Sequence, residues 1–156
     1  MATTATNKQP LLVDRVLHSV INLDNAITST LDIVGTNTAE VLINGSSSDG
    51  AIVEYIYGIG RGGGAGEKIN LYMSSAVDYL RQTEAMFIGS FSPSETEGTI
   101  TEWDNMPKIL APMPHTGDEG QFRALYLPKG KSLWAARQSD VTLVNGPLIG
   151  AQGGWF

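Results

Sequence analysis

The chain has 156 residues, of which 42% are apolar and 17% are charged, a composition that suits one folded domain and leaves no room for a second. Sixteen acidic against ten basic residues give a net charge of −6, which disfavours binding to a phosphate backbone or to anionic lipid. The absence of cysteine excludes thiolate catalysis, thiolate metal sites and disulfides. No window approaches the roughly 18 uninterrupted apolar residues of a membrane span. We therefore expect neither a nucleic-acid partner nor a membrane partner.

The N-terminal residues Met1–Pro10 are small, polar and tolerant of extended backbone, and nothing in them could form a local core. We interpret residues 1–12 as an extended N-terminal arm, followed by a single β-sandwich domain over residues 13–156. A frayed terminus is the alternative interpretation of the same composition. The apolar residues of Leu11–Ile21 fit helical spacing, but their Val and Ile content favours a strand, which we adopt.

Beyond residue 37, short β-branched or aromatic runs alternate with glycine, asparagine and serine clusters about every ten residues, which is typical of all-β proteins. We predict an all-β fold with an antiparallel β-sandwich or jelly-roll-like body. The predicted strands are Thr38–Asn44, Ala51–Ile59, Lys68–Met73, Glu84–Phe91, Thr99–Trp103, Phe122–Leu127, Ser132–Arg137, Val141–Val144 and Leu148–Gln152. In the second of these strands, simple alternation places Ile52, Glu54 and Ile56 on one face.

Turn residues separate these runs. Asn44–Gly50, Pro128–Gly130 and Asn145–Pro147 each offer a chain reversal, and we expect each to close a strand pair. The stretch Met106–Gly120 holds three prolines and is too long for a tight turn. It is predicted to be a protruding Pro-rich loop at 106–120.

The glycine run Gly58–Gly63 matches G-x-G-x-x-G and follows a predicted strand, as a dinucleotide fingerprint does. The fingerprint also needs a helix directly afterwards, so that helix N-terminal amides face the pyrophosphate. Here Lys68–Met73 alternates as a strand instead. We interpret the glycine run as a flexible hairpin loop and predict no cofactor.

Candidates for catalysis or metal binding are few. His18 and His115 lie far apart in the sequence and lack any paired-ligand spacing, so no metal site is predicted. The serines Ser46–Ser48 have neither a G-x-S-x-G elbow nor an adjacent histidine, so no catalytic residue is predicted. A carboxylate-dependent hydrolase or carbohydrate-active enzyme remains a third reading, and its candidate residues are Glu95, Glu97, Glu102 and Asp104.

Three tryptophans, Trp103, Trp134 and Trp155, are predicted to pack in the core or in an interface, because a stacking platform needs basic or polar neighbours along a groove. Trp155 and Phe156 place two large aromatic side chains at the end of the sequence. We expect them either to tuck into the core or to pack on a neighbouring subunit.

Two stretches resemble a family of small tailed-phage virion proteins. The first is Gly35–Gly45, which continues through Ile52–Ile59 and the glycine loop into Ile69–Met73. The second is Leu127–Ala135, which carries an L-P-x-G-x-S-L pattern, with a G-G pair in the closing Gly150–Phe156. The resemblance covers about half of the chain, and the opening residues also look like the start of cyanophage structural proteins.

The resemblance implies a polar N-terminal arm, a β-sandwich or jelly-roll body and a role as capsid cement, also called head decoration, on the outer capsid surface. The implied partners are the major capsid protein and further copies of the chain, most simply in a homotrimer. In this hypothesis the arm adds a strand to an adjacent subunit. The expected subunit or capsid interface residues are Thr3, Thr4, Asn7, Gln9, Pro10, Leu11, Leu12, Trp155 and Phe156.

A second hypothesis is a tail or fibre component that binds a host surface. Its adhesive tip would be formed by the loop at 106–120 together with exposed aromatic side chains.

Overall fold

The computed structural model describes residues 15–23, 39–62, 68–75, 80, 84–104, 124–138 and 145–156. Within these ranges the chain forms nine β-strands and no helix, which confirms the all-β prediction. The strands are β1 (Arg15–Asn22), β2 (Ala39–Ile43), β3 (Gly50–Ile59), β4 (Lys68–Ser74), β5 (Met86–Phe91), β6 (Ile100–Glu102), β7 (Leu125–Pro128), β8 (Ser132–Gln138) and β9 (Leu148–Trp155). A membrane-crossing helix, long and apolar enough for that role, does not occur among the described residues.

The strands form two antiparallel sheets. Sheet I has the order β1-β9-β3-β6, and β7 pairs with the first half of β3 on the same edge as β6. Sheet II has the order β2-β8-β4-β5. When β7 is set aside, the first strand pairs with the last, the second with the penultimate, the third with the sixth and the fourth with the fifth. These nested pairs are the connectivity of a jelly roll, so the predicted fold class is confirmed.

The core lies between the two sheets. Alternate residues of each strand face inward, and the fully buried aliphatic side chains Leu17, Ile56 and Ile149 of sheet I meet Ile69 and Leu71 of sheet II in one cluster. Burying a side chain of this size stabilises the fold by about 1.5–3 kcal/mol.

The expectation that the turns close strand pairs is wrong. The segment after β2 leads from sheet II to sheet I, and the Lys129–Gly130 turn leads from β7 in sheet I to β8 in sheet II. The local turn chemistry is nevertheless present, since Asn44 Oδ1 accepts a hydrogen bond from the Ser46 amide at 3.1 Å. Turn residues reverse the chain, but burial between the sheets decides which sheet the next strand joins. The glycine run after β3 is likewise a crossover and not a hairpin, because β3 and β4 lie in different sheets.

The predicted shared face of Ile52 and Ile56 is also wrong, because β3 contains a β-bulge. The register of β3 against β9 shifts between Val53 and Tyr55, which moves Ile56 to the core side while Ile52 points outward. Gly153 of β9 lies opposite the bulge. A Cβ atom at Gly153 would collide with the Ile52 carbonyl oxygen and lie 2.9 Å from Val53 Cα. A side chain therefore does not fit at this point.

The N-terminal arm at 1–12, the first two residues of the predicted domain, the Pro-rich loop at 106–120 and the predicted strand Val141–Val144 lie outside the described residues.

We expect Gly153→Ala to lower the free energy of unfolding by about 1–3 kcal/mol, because the backbone at the bulge must shift to admit a methyl group. Urea unfolding followed by tryptophan fluorescence measures the effect. Gln152→Ala, at the exposed neighbouring position, is the control and is expected to stay within about 0.5 kcal/mol of the unsubstituted protein. An equally small effect of Gly153→Ala would contradict the account of the bulge.

Candidate interaction surface

Each sheet has one face on the core and one outer face, and the two outer faces differ. On sheet II, Leu80 lies between β4 and β5 in sequence and is 2% exposed, in a cluster with Tyr72 and Trp134. The chain thus covers part of this outer face with one of its own side chains. Trp134 is buried here and Trp103 is buried in the main core, which confirms that both tryptophans pack inside the protein.

The outer face of sheet I carries apolar side chains that remain in contact with solvent. The strand registers align Val16 of β1, Gly154 of β9, Ile52 of β3 and Tyr126 of β7 in one row across the sheet. We call these four residues the apolar row. Three strand spacings give the row a length of about 14 Å. Val16 is 83% exposed and Tyr126 is 50% exposed, so both ends of the row are open to solvent.

The C-terminal aromatic pair divides between the core and this face. Trp155 pairs with Ala51, a buried inward-facing residue, and packs partly buried against the main core. Phe156 is 40% exposed, and its amide donates a hydrogen bond to the Gly50 carbonyl at 3.0 Å. Its ring centroid lies 6.2 Å from that of Tyr126. Phe156 therefore extends the apolar row.

Next to the apolar row lies a polar and aromatic group on the same outer face. The Tyr55 hydroxyl donates a hydrogen bond to Glu102 Oε1 at 2.9 Å, and the rings of Tyr55 and Tyr57 lie 5.2 Å apart. His18 Nε2 lies 3.4 Å from the Tyr57 hydroxyl oxygen. Gly150 permits this arrangement, because a Cβ atom there would collide with the Tyr57 ring. Partial desolvation and the hydrogen bond to Glu102 raise the pKa of the Tyr55 phenol above its ordinary value.

The charges on this face are acidic. Glu54, displaced outward at the bulge, and Glu102 on β6 are both exposed. Among the described residues, the strands of sheet I place no lysine there. A partner surface that is apolar and flanked by basic groups would complement both the apolar row and the acidic charge of this face.

The residues considered for catalysis or metal binding are placed as follows in the part of the chain that is described. No group of three or more His, Cys, Asp or Glu residues there could hold a metal ion. Glu95, Glu97 and Asp104 are exposed, and Glu102 accepts the Tyr55 hydrogen bond. His115 lies outside the described residues. After the glycine run, Lys68 begins strand β4, as predicted.

Of the predicted interface residues, the structure places Trp155 and Phe156 as given above. The others, Thr3, Thr4, Asn7, Gln9, Pro10, Leu11 and Leu12, lie outside the described residues. Sequence reasoning missed Val16, Ile52 and Tyr126. Each is an apolar residue in a predicted strand, and only the register between strands shows that they share an outer face.

Comparisons of the chain with protein-family models, with curated proteins and with solved structures gave no match.

Two adjacent residues of β7 face opposite sides of sheet I: Leu127 faces the core, and Tyr126 faces the solvent. We expect Leu127→Ala to lower the free energy of unfolding by about 2–5 kcal/mol, because Leu127 is fully buried and its removal leaves a cavity. Tyr126→Ala is the matched control on the same strand and is expected to cost less than about 1 kcal/mol, since its side chain is half exposed. Chemical denaturation measures both values. Equal losses would contradict the assignment of the two faces.

Because the phenol of Tyr72 is buried, we expect the folded protein to lose stability as the pH becomes alkaline. Burial raises the pKa of Tyr72 in the folded protein, against a smaller lowering by its hydrogen bond with Asn70. The folded state therefore holds the phenol proton more tightly than the unfolded state. The resulting stability is fully present below the unfolded pKa of about 10 and is lost as the pH rises through the folded value.

We expect the free energy of unfolding to fall between about pH 9 and pH 11, and to fall less steeply in Tyr72→Phe. Denaturation curves at fixed temperature across this range measure the slope, and the range from pH 7 to 8.5, where the two proteins should run parallel, serves as the internal control. A Tyr72→Phe protein that loses stability as steeply as the unsubstituted protein would refute this role for Tyr72.

Proposed function

We propose that the chain is a non-enzymatic structural protein of a tailed-phage virion. Its proposed role is that of a capsid cement, or head decoration, protein that binds across the seams between capsomers. In this proposal it acts as a homotrimer on the outer capsid surface, and its partner is the major capsid protein. Cement proteins of this kind work by adding buried area where neighbouring subunits meet.

The observation that carries the proposal is the apolar row together with Phe156 on the outer face of sheet I. Val16, Tyr126 and Phe156 together present apolar surface that gains from removal from water. A sheet face with such a row suits attachment to another protein surface. The jelly roll supports the proposal further, since viral structural proteins use this architecture. The resemblance to small tailed-phage virion proteins points in the same direction.

The charge distribution supports the outer surface of the capsid as the location. A net charge of −6 repels packaged DNA. Glu54 and Glu102 make the outer face of sheet I negatively charged as well. The proposed contact on the capsid is therefore an apolar strip flanked by lysine or arginine side chains.

One observation favours the second candidate, a tail or fibre component that binds a host surface. Tyr126 and Phe156 are exposed aromatic rings 6.2 Å apart, and exposed aromatic rings bind sugars by stacking. Binding of the isolated protein to host cells or to a glycan array, without binding to capsids, would select this function.

Cosedimentation with expanded capsids tests the cement function. The capsids are those of the virus that encodes the chain, freed of this protein. We expect the unsubstituted protein to pellet with them in a saturable manner. Tyr126→Lys is expected to weaken binding at least about tenfold, because it buries a charge within the apolar contact.

Thr99→Lys is the matched control. It adds the same charge at an exposed position near the opposite end of β3, where the Thr99 carbonyl accepts a hydrogen bond from the Gly60 amide. It is expected to bind as tightly as the unsubstituted protein. Absence of binding by the unsubstituted protein would contradict the cement function, whereas equal binding by Tyr126→Lys would contradict the use of the apolar row.

A further inference from the structure

The polar and aromatic group on the outer face of sheet I lies between two rows of apolar side chains. Beyond the group, as seen from the apolar row, the strand registers align Leu148 of β9, Ile59 of β3 and Ile100 of β6. We call these three residues the second apolar row. Ile100 is 57% exposed, and Leu148 and Ile59 are partly exposed. The two rows lie about 20 Å apart, which is the length of β9 from Gly154 to Leu148.

Glu102 lies between these two rows, so a partner that packs on both rows also covers its carboxylate. Glu102 follows Ile100 by two residues on β6, on the same face of the sheet, and pairs with Tyr57 of β3. Covering a carboxylate removes its water, which is strongly unfavourable unless a cation and hydrogen bonds take the place of that water. Burial of this face therefore requires a cation beside Glu102.

The described strands of sheet I do not supply this cation. They place neither lysine nor arginine on the outer face, since Arg15 of β1 pairs with Trp155 in a row that faces the core side. His18 is on the outer face, but β1 lies three strand positions, or about 14 Å, from the strand of Glu102. Glu54 adds a second exposed carboxylate to the same face. The cation must come from the partner.

The shape of the site favours a guanidinium group over an ammonium group. The Tyr55 hydroxyl donates a hydrogen bond to Glu102 Oε1 at 2.9 Å, which holds the carboxylate at the edge of the Tyr55 ring and leaves lone pairs on both of its oxygens. The Tyr57 ring lies 5.2 Å from the Tyr55 ring. A guanidinium group donates two parallel hydrogen bonds to a carboxylate and stacks on aromatic rings, whereas an ammonium group is a compact and strongly hydrated charge.

We propose that Glu102 and Tyr55 receive an arginine side chain of the partner protein, seated between the two apolar rows. The inference rests on the proposed function, and it names the kind of side chain on the major capsid protein that sheet I recognises. The apolar rows supply contact area in this arrangement. The arginine fixes the position of the protein on the capsid, because any other placement would bury Glu102 without a counter-charge.

Cosedimentation with the capsids described above tests the two receiving residues. Glu102→Gln keeps the size of the side chain and removes its charge, and we expect it to weaken binding at least about tenfold. Tyr55→Leu removes the ring and should weaken binding at least about threefold. Glu40→Gln is the matched control, since it makes the same change at an exposed position of β2 in sheet II, and it should bind as tightly as the unsubstituted protein. Urea unfolding verifies that each variant is folded.

Chemical modification of the capsids identifies the cation. Phenylglyoxal modifies arginine side chains, and acetic anhydride modifies lysine side chains. We expect phenylglyoxal-treated capsids to bind the unsubstituted protein at least about tenfold more weakly, and to bind Glu102→Gln no more weakly than untreated capsids do, because one contact is lost from either side. Acetylated capsids should still bind the unsubstituted protein at least about tenfold more tightly than Glu102→Gln.

Equal binding of Glu102→Gln and the unsubstituted protein to untreated capsids would overturn the inference and leave the cement function intact. A dependence on Glu102 that acetylation removes and phenylglyoxal does not would assign the cation to lysine and contradict the choice of arginine. Absence of binding by the unsubstituted protein would overturn both the inference and the cement function. A lower native mass of Glu102→Gln alone in light scattering would place a second copy of the chain on this face, which would also overturn the inference.

Discussion

Sheet I depends on the insertion of its last strand in sequence, β9, between β1 and β3. This strand pairs along its whole length with both β1 and β3, and the bulge that interrupts the second pairing lies in β3. Its inward residues Ile149 and Ala151 are fully buried. Two of its glycines leave room for neighbouring groups: Gly150 for the Tyr57 ring, and Gly153 for the β3 backbone at the bulge. Without β9, β1 would have no described partner and the apolar row would lose its alignment. The surface proposed for capsid attachment is thus a consequence of how the jelly roll closes.

The strands themselves could be predicted from the sequence, because β-branched and aromatic runs between turn residues are a local signal. The run Lys68–Met73 matches β4 within one residue, and Ala51–Ile59 matches β3 to the same extent. Their partners could not be predicted in the same way. A turn such as Asn44–Gly50 has the same local chemistry whether the next strand pairs with the previous one or crosses to the other sheet. Burial of residues distant in sequence makes that choice.

The same distinction applies to the candidate surface. Two aromatic residues at the end of the sequence suggest outcomes that include an exposed Phe156 and a partly buried Trp155. The sequence does not suggest the apolar row, because its members come from four strands and meet only through the register between those strands. The bulge in β3 adds a second difficulty, since it reverses the alternation from which the direction of Ile56 was predicted. Bulges depend on the neighbouring strand, here on Gly153, and strand periodicity alone does not reveal them.

The two outer faces differ in how much of their apolar surface the chain itself covers. The outer face of sheet I, which stays open to solvent, is proposed to meet the capsid. A cryo-electron microscopy reconstruction of capsids saturated with the protein tests this arrangement most directly. We expect jelly-roll density on the outside of the shell, with the side chains of Val16, Tyr126 and Phe156 against the major capsid protein. Density that contacts the shell through sheet II, or density found only on the tail, would contradict it.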